Sequence, residues 1–171
     1  SASGDRLVVA AGETGLAGEA TLWQTADWKR GLVVSGHRDT LYAATLSPDG
    51  KVLATASYDR DIRTWDAATG APRQTLAGHN DAVYGLSFHP NSKILASASG
   101  DRTVKLWDEA RGERLDTFAQ PAKEQYSVSV SPNGKYVAAG GVDLRVRVWE
   151  LSETAAEGTN PIAYARFAHE G

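Results

Sequence analysis

Two sets of side chains in this sequence have the residue types of a nucleophilic triad. The sets are His37, Ser57, Asp59 and His79, Ser99, Asp101. In a Ser-His-Asp triad the imidazole takes the serine proton and the aspartate orients the imidazole. The two sets have the same internal spacing, whereas an active site needs one triad. The repetition therefore favours a structural role, and we predict no catalytic residues and no enzymatic activity.

Other residue types that often mark chemistry are dispersed along the chain. The histidines, at positions 37, 79, 89 and 169, do not have metal-ligand spacing. The glycines between Gly12 and Gly18 lack the following Lys-Ser or Lys-Thr of a phosphate-binding loop, so they indicate a hairpin tip. Cysteine is absent, which excludes disulfides and thiolate metal sites. We predict no cofactor and no bound metal.

The tryptophans reveal the elements that must position these side chains. They recur at a constant interval of 42 residues as Trp23, Trp65, Trp107 and Trp149. Gly-His opens the two central units, at residues 36–37 and 78–79, and Trp-Asp closes their third predicted strands, at 65–66 and 107–108. A period of about 40–45 residues with these two dipeptides is typical of a four-stranded propeller blade. On these motifs the chain resembles the WD40-repeat family of β-propellers.

The repeat predicts an all-β propeller of about four blades in one continuous repeat domain. We expect a truncated blade at residues 1–35 with strands b, c and d only, and further blades at 36–77, 78–119 and 120–171. An insertion at 152–160 is interpreted as a polar surface loop. Because the chain starts without methionine and the first blade lacks strand a, we expect a half-ring excised from a longer protein, or one completed by self-association.

The resemblance also implies a role for the repeated histidines. In WD40 propellers a Trp, a Ser or Thr, an Asp and a His form a buried hydrogen-bond network within one blade. By resemblance the two networks here are His37, Ser57, Asp59, Trp65 and His79, Ser99, Asp101, Trp107. The outer blades lack the His and Ser partners, so we expect the two middle blades to be the most rigid. The basic residues two positions before each later Trp, at 63, 105 and 147, are interpreted as stems that cover apolar surface with the charge at its edge.

The composition is typical of a soluble globular chain without a strong charge. Eighteen Lys and Arg against 21 Asp and Glu give a net charge of −3, so no basic field indicates a nucleic acid, and no long apolar run indicates a membrane partner. We therefore predict a scaffold that binds a protein or peptide through the loops before strand a and between strands b and c. The candidate contact residues are Arg38, Tyr42, Tyr58, Arg60, Asn80, Tyr84 and Arg102. A self-assembling structural piece, as a homodimer, and a regulatory lobe of a larger enzyme are the alternatives.

Overall fold

A computed structural model describes residues 1–13 and 15–151, and the backbone of one further strand at 162–167. These residues form fifteen strands in four antiparallel sheets. The predicted loop at 152–160 lies outside the described residues. No helix occurs within the described ranges, and accordingly they contain no helix that could cross a bilayer.

Each sheet is a meander in which consecutive strands pair. The first, blade 1, contains β1 (Arg6–Ala11), β2 (Glu19–Gln24) and β3 (Arg30–Ser35). Blade 2 contains β4 (Leu41–Leu46), β5 (Val52–Ser57), β6 (Ile62–Asp66) and β7 (Pro72–Leu76). Blade 3 contains β8 (Val83–Phe88), β9 (Ile94–Ser99), β10 (Val104–Asp108) and β11 (Glu113–Phe118). Blade 4 contains β12 (Gln125–Val130), β13 (Tyr136–Gly141), β14 (Arg145–Glu150) and β15 (Ile162–Phe167).

Turn residues in the left-handed backbone region set the ends of these short strands. Gly50 and Gly134 close the first hairpins of blades 2 and 4 at φ values of 69° and 71°. Arg60 and Arg102 occupy the same region in the second hairpins, at 77° and 68°. In each of these second hairpins an aspartate carboxylate accepts from a backbone N–H two residues later, as Asp59 does from Asp61. This local bond stabilises a conformation that non-glycine residues adopt at a cost.

The sheets pack face to face, and a tryptophan fills each seam between neighbours. Trp65 of blade 2 packs against Val34 and Ala20 of blade 1. Trp107 of blade 3 belongs to the cluster that includes Ile62 and Leu76 of blade 2. The last seam contains Trp149, which stacks on Phe118 with ring centroids 4.8 Å apart. The constant interval between the tryptophans therefore reflects one packing contact made three times.

Polar contacts also join neighbouring blades across the seams. Glu109 of blade 3 is buried, and its carboxylate accepts from both Nε and Nη2 of Arg73 in blade 2, at 2.8 and 3.0 Å. The Thr64 hydroxyl donates to the same carboxylate at 2.9 Å. This buried acceptor is satisfied by two donating side chains, as a charge removed from water requires.

The predicted fold class is confirmed. The chain is all-β, and its sheets have the strand number and pairing expected of one three-stranded and three four-stranded blades. Among the described residues the blades form an open array and not a closed ring. Strand β4 contacts β8, and β8 contacts β12, so these first strands of the four-stranded blades lie along a common inner edge.

Candidate functional site

The loops at one end of blades 2 and 3 bring the predicted histidines and aspartates together. We call this surface the rim, and it comprises residues 37–40, 58–61, 79–82 and 100–103. Backbone bonds fix the loops in pairs, since Tyr58 N donates to Thr40 O at 3.0 Å and Gly100 N to Ala82 O at 2.9 Å. The two halves of the rim therefore have the same architecture, as their sequence repetition indicates.

Blade 3 contains a continuous chain of hydrogen bonds beneath the rim. The Trp107 indole N–H donates to Ser97 Oγ at 2.8 Å, and Ser97 Oγ lies 2.7 Å from His79 Nε2. His79 Nδ1 lies 2.8 Å from Asp101 Oδ2, which also accepts from Asn80 N at 3.0 Å. A neutral imidazole with its proton on Nδ1 satisfies this whole chain, because Ser97 then donates to Nε2 and Nδ1 donates to the carboxylate.

Blade 2 repeats the arrangement with a threonine. Trp65 Nε1 donates to Thr55 Oγ1 at 3.0 Å, and Thr55 Oγ1 lies 2.9 Å from His37 Nε2. His37 Nδ1 lies 3.0 Å from Asp59 Oδ2, and Arg38 N donates to the same oxygen at 2.8 Å. The indole, hydroxyl, imidazole and carboxylate again form one buried chain.

The assignment of Ser57 and Ser99 to these networks was wrong. The hydroxyls that contact the imidazole and the indole belong to Thr55 and Ser97, two residues earlier on the same strands. Residues two apart on a strand share a face, so both positions face the seam and only reach distinguishes them. Ser57 lies nearer the turn, where its hydroxyl donates to Asp39 O at 3.1 Å and accepts from Asp59 N.

Ser99 makes the corresponding turn contacts in blade 3. Its hydroxyl donates to Asp81 O at 3.0 Å and accepts from Asp101 N at 3.1 Å. Both predicted serines therefore hold the rim loops against their strands. The residues that the sequence interpretation missed, Thr55 and Ser97, have the same 42-residue spacing, which was the available signal.

Burial determines the protonation state of the two histidines. It lowers the pKa of His37 and His79, and the neighbouring Asp59 and Asp101 only partly offset this effect. Burial would raise the pKa of Asp101, but hydrogen bonds from His79 and Thr103 outweigh it and keep that pKa far below the ordinary value. Neutral imidazoles beside ionised carboxylates are therefore the resting state. The hydroxyls on the network are fully buried, so none is presented to a substrate.

Blade 4 replaces the network with a different set of partners. Pro121 stands where the histidine would be and Ala139 where the hydroxyl would be. The Trp149 indole donates instead to Gln120 Oε1 at 3.2 Å. The turn aspartate Asp143 forms an ion pair with Arg147 at 2.7 Å. Arg147 thus replaces the histidine as the partner of the turn aspartate, and Gln120 replaces the hydroxyl as the acceptor of the indole N–H.

This pair corrects the interpretation of the periodic basic residues as edge charges. Arg147 and Lys105 are only 3% and 4% exposed, so their charged ends lie within the protein. Burial also lowers the pKa of Lys105, an effect that the carboxylate of Asp101 opposes. Arg147 pairs with the turn aspartate Asp143, whose carboxylate compensates a cation withdrawn from water. Lys105 Nζ instead donates to Thr117 Oγ1 at 3.5 Å.

The rim surrounds a depression of about 480 Å³ between blades 2 and 3. Its lining residues are Arg38, Asp39, Tyr58, Asp59, Arg60, Asn80 and Asp81. Four of the predicted contact residues therefore meet there: Arg38, Tyr58, Arg60 and Asn80. Arg102 lies on the next turn and does not line it, while Tyr42 and Tyr84 contact each other beside it with ring centroids 4.9 Å apart.

A further tyrosine extends this aromatic group and was absent from the predicted contacts. Tyr126 contacts Tyr84 edge to face, with ring centroids 5.0 Å apart. It follows Tyr84 by the same interval that separates Tyr84 from Tyr42, so the repeat could have identified it. The described residues show no cluster of three or more His, Cys, Asp or Glu side chains that could hold a metal.

Comparisons with known proteins agree with the geometry. The family model described as "WD domain, G-beta repeat" matches three segments, residues 28–66, 70–108 and 112–150, which together cover more than half of the chain. A curated relative, Protein Mut11 of Chlamydomonas reinhardtii, is 53% identical over 38 residues. That match covers 22% of this chain and 10% of Mut11. The three segments that match the family model contain Trp65, Trp107 and Trp149 and the turn aspartates Asp59, Asp101 and Asp143.

Proposed function

Because the chain belongs to the WD40 family of WD-domain, G-beta repeats, we propose that it is a non-catalytic scaffold that binds a protein or peptide at its rim. Repeats of this family typically form protein-interaction surfaces and are generally non-catalytic. The observation that carries the proposal is the depression between blades 2 and 3, where charged, amide and aromatic side chains converge.

The residues around the depression suit recognition of a polypeptide. Tyr58 is 47% exposed, and the neighbouring Arg38 and Arg60 are exposed as well. Tyr and Arg are enriched among residues that dominate binding energy, because each combines a large contact area with directed donors. Asp39 and Asp81 lie in the same depression and can pair with a peptide's cations or backbone donors.

The rest of the rim supports binding without chemistry. The histidines, hydroxyls and aspartates that resemble a triad are engaged in the networks of blades 2 and 3, below the surface. These networks fix the loops that carry Arg38 and Asn80, since Asp59 and Asp101 accept their backbone N–H groups. A surface fixed in this way loses little conformational freedom when it binds.

A peptide selection tests this function. A random peptide library is selected against the immobilised chain, and selected peptides are then titrated into the wild type and a Tyr58→Ala variant. We expect saturable binding that Tyr58→Ala weakens by at least about tenfold, as loss of a central aromatic contact does. Tyr136→Ala, at a 38% exposed tyrosine of blade 4, is the matched control and should bind like the wild type. Selected peptides that bind the Tyr58→Ala variant as tightly as they bind the wild type and the Tyr136→Ala variant would contradict the proposal.

A further inference from the structure

Three tyrosines form a continuous aromatic surface beside the rim. Tyr42, Tyr84 and Tyr126 are the second residues of β4, β8 and β12. Their ring centroids lie 4.9 Å and 5.0 Å apart, with interplanar angles of 56° and 87°. We call these three residues the tyrosine row. The ring centroid of Tyr58 lies 6.3 Å from that of Tyr42, and Tyr58 also lines the depression of the rim, so it connects the row to the depression.

The backbone beneath the tyrosine row is held in place by close contact between blades. Gly85 allows the approach, since a Cβ there would lie 3.0 Å from the Tyr126 carbonyl oxygen. Val130 N donates to Ser87 Oγ across the same boundary at 3.0 Å. All three tyrosines therefore project from strands and not from a loop, and the strands of Tyr84 and Tyr126 are held directly against each other.

The tyrosine row is accessible although it is aromatic. Tyr42 is 46% exposed and Tyr126 is 52% exposed, while Tyr84 between them is partly buried. An exposed side chain at the second position of these strands buries little area within the chain. Packing between blades alone therefore does not account for a tyrosine at this position in three successive blades. A contiguous aromatic surface on a rigid support is typical of a recognition site.

The strands that carry the row have no charged residue. Their sequences are LYAATL, VYGLSF and QYSVSV. Charges of both signs border the row: Lys123 and Glu124 directly precede β12. On the rim, Arg38 and Arg60 accompany Asp39 and Asp81 around one depression, so neither sign dominates. Such a surface complements an uncharged segment better than a strongly cationic or anionic one.

We propose that the tyrosine row binds an uncharged, proline-rich peptide segment in the polyproline II conformation. This inference rests on the proposed function and names the class of peptide. Aromatic grooves bind such segments because pyrrolidine rings pack on the tyrosines and the segment is already ordered before it binds. Proline residues have no N–H, so a proline-rich segment leaves no backbone donor unpaired when it docks on a surface with few acceptors. The phenolic hydroxyls of the tyrosine row can donate to the carbonyl groups of the segment.

The protonation state of the central tyrosine is consistent with this role. Burial raises the pKa of Tyr84 above its ordinary value, and the carboxylate of Asp81 acts in the same direction. The Tyr84 hydroxyl is therefore protonated at neutral pH and available as a donor.

Calorimetric titration of the full chain with a blocked oligoproline peptide tests the proposal. We expect saturable binding that Tyr84→Ala and Tyr126→Ala each weaken by at least about tenfold, with Tyr84→Phe intermediate because it retains the ring. Tyr136→Ala is the matched control and should leave the affinity unchanged. Because Tyr84→Ala could destabilise the protein, unfolding midpoints accompany each titration, and the more exposed Tyr126→Ala provides a second measurement.

Several outcomes would overturn the inference. These are failure of the oligoproline to bind, equal affinity for the Tyr126→Ala variant, or tighter binding of a glycine-arginine peptide of the same length at the same tyrosines. Selected peptides that lose affinity with Tyr58→Ala but not with Tyr84→Ala or Tyr126→Ala would overturn this inference while leaving the scaffold function intact. If the wild-type chain binds neither the oligoproline nor any peptide from the library, the proposed function itself is contradicted.

Discussion

At the level of single residues, burial of the network explains why side chains with the residue types of a triad are not exposed to a substrate here. The Ser97 hydroxyl lies between an indole donor and an imidazole acceptor, at 2.8 and 2.7 Å. Each member satisfies the next, so removing one leaves a buried partner without a hydrogen bond. The same residue types would support acyl transfer only if a hydroxyl were exposed to substrate, and these hydroxyls are buried.

A double-mutant cycle tests the corrected membership of the network. We expect Trp107→Phe and Ser97→Ala each to lower the free energy of unfolding by about 1–3 kcal/mol, because each strands a buried partner. The double variant should lose about 0.5–3 kcal/mol less free energy of unfolding than the sum of the two single losses, since both substitutions remove the same hydrogen bond from the indole to Ser97. Ser99→Ala is the matched control, because Ser99 does not contact the indole. Urea unfolding that shows equal or stronger coupling of Trp107 to Ser99 would refute the assignment.

The two neutral histidines predict a pH dependence of stability. Their folded-state pKa values lie below the ordinary 6.5, so the unfolded chain binds more protons as the pH falls through and below that value. The free energy of unfolding should therefore decrease on acidification below about pH 6.5. Below about pH 4, protonation of Asp59 and Asp101 should decrease it further, since both have folded-state pKa values below the ordinary 3.8.

Urea midpoints measured across this pH range provide the test. In the variant His37→Asn/His79→Asn the decrease between about pH 7 and pH 5 should become smaller, because the groups that titrate differently in the two states are gone. Stability that is constant or rises as the pH falls from neutrality would contradict neutral, buried imidazoles.

At the scale of elements, blade 4 shows how one strand adapts when the network is absent. Gly140 and Gly141 end β13, and Gly141 stands where Ser57 and Ser99 stand in the other blades. A Cβ at Gly141 would collide with the Glu124 carbonyl oxygen, whereas a Cβ at Gly140 would make only ordinary contacts, the nearest at 3.8 Å. The first strand of this blade therefore approaches β13 more closely than a side chain allows.

Adjacent alanine substitutions measure this close approach. Gly141→Ala should lower the free energy of unfolding by about 1–3 kcal/mol, because backbone atoms must move to admit the methyl group. Gly140→Ala is the matched control in the same strand and should change stability by less than about 1 kcal/mol in either direction. Equal effects at the two positions, measured by urea unfolding, would show that backbone proximity does not explain Gly141.

Much of this element-scale structure could be predicted from the repeat. The 42-residue period placed Trp65 and Trp107 in equivalent seams, and His37 and Asp59 in one network. It could not separate Thr55 from Ser57, because both positions recur with the period and face the same side of the strand. Only the reach of the indole and imidazole decides between them. The pairing of Arg147 with Asp143 was likewise hidden, because it depends on the loss of a histidine elsewhere in the blade.

At the level of the whole molecule, packed seams between the blades support the rim and the tyrosine row side by side. The rim supplies charged and amide groups around a depression, and the tyrosine row supplies an uncharged aromatic strip beside it. Completion of the ring, by a second copy or by additional chain, stays a prediction. Light scattering of this chain over a concentration series separates the two, because only self-association doubles the mass from 18.2 kDa.

NMR mapping of a selected peptide on the isotopically labelled chain tests whether partners bind at the rim. We predict amide shift changes concentrated at residues 37–40, 58–61 and 79–82, which surround the depression. Changes confined to the turns at 48–51, 90–93 and 132–135, which join the first and second strands of blades 2, 3 and 4, would contradict binding at the rim.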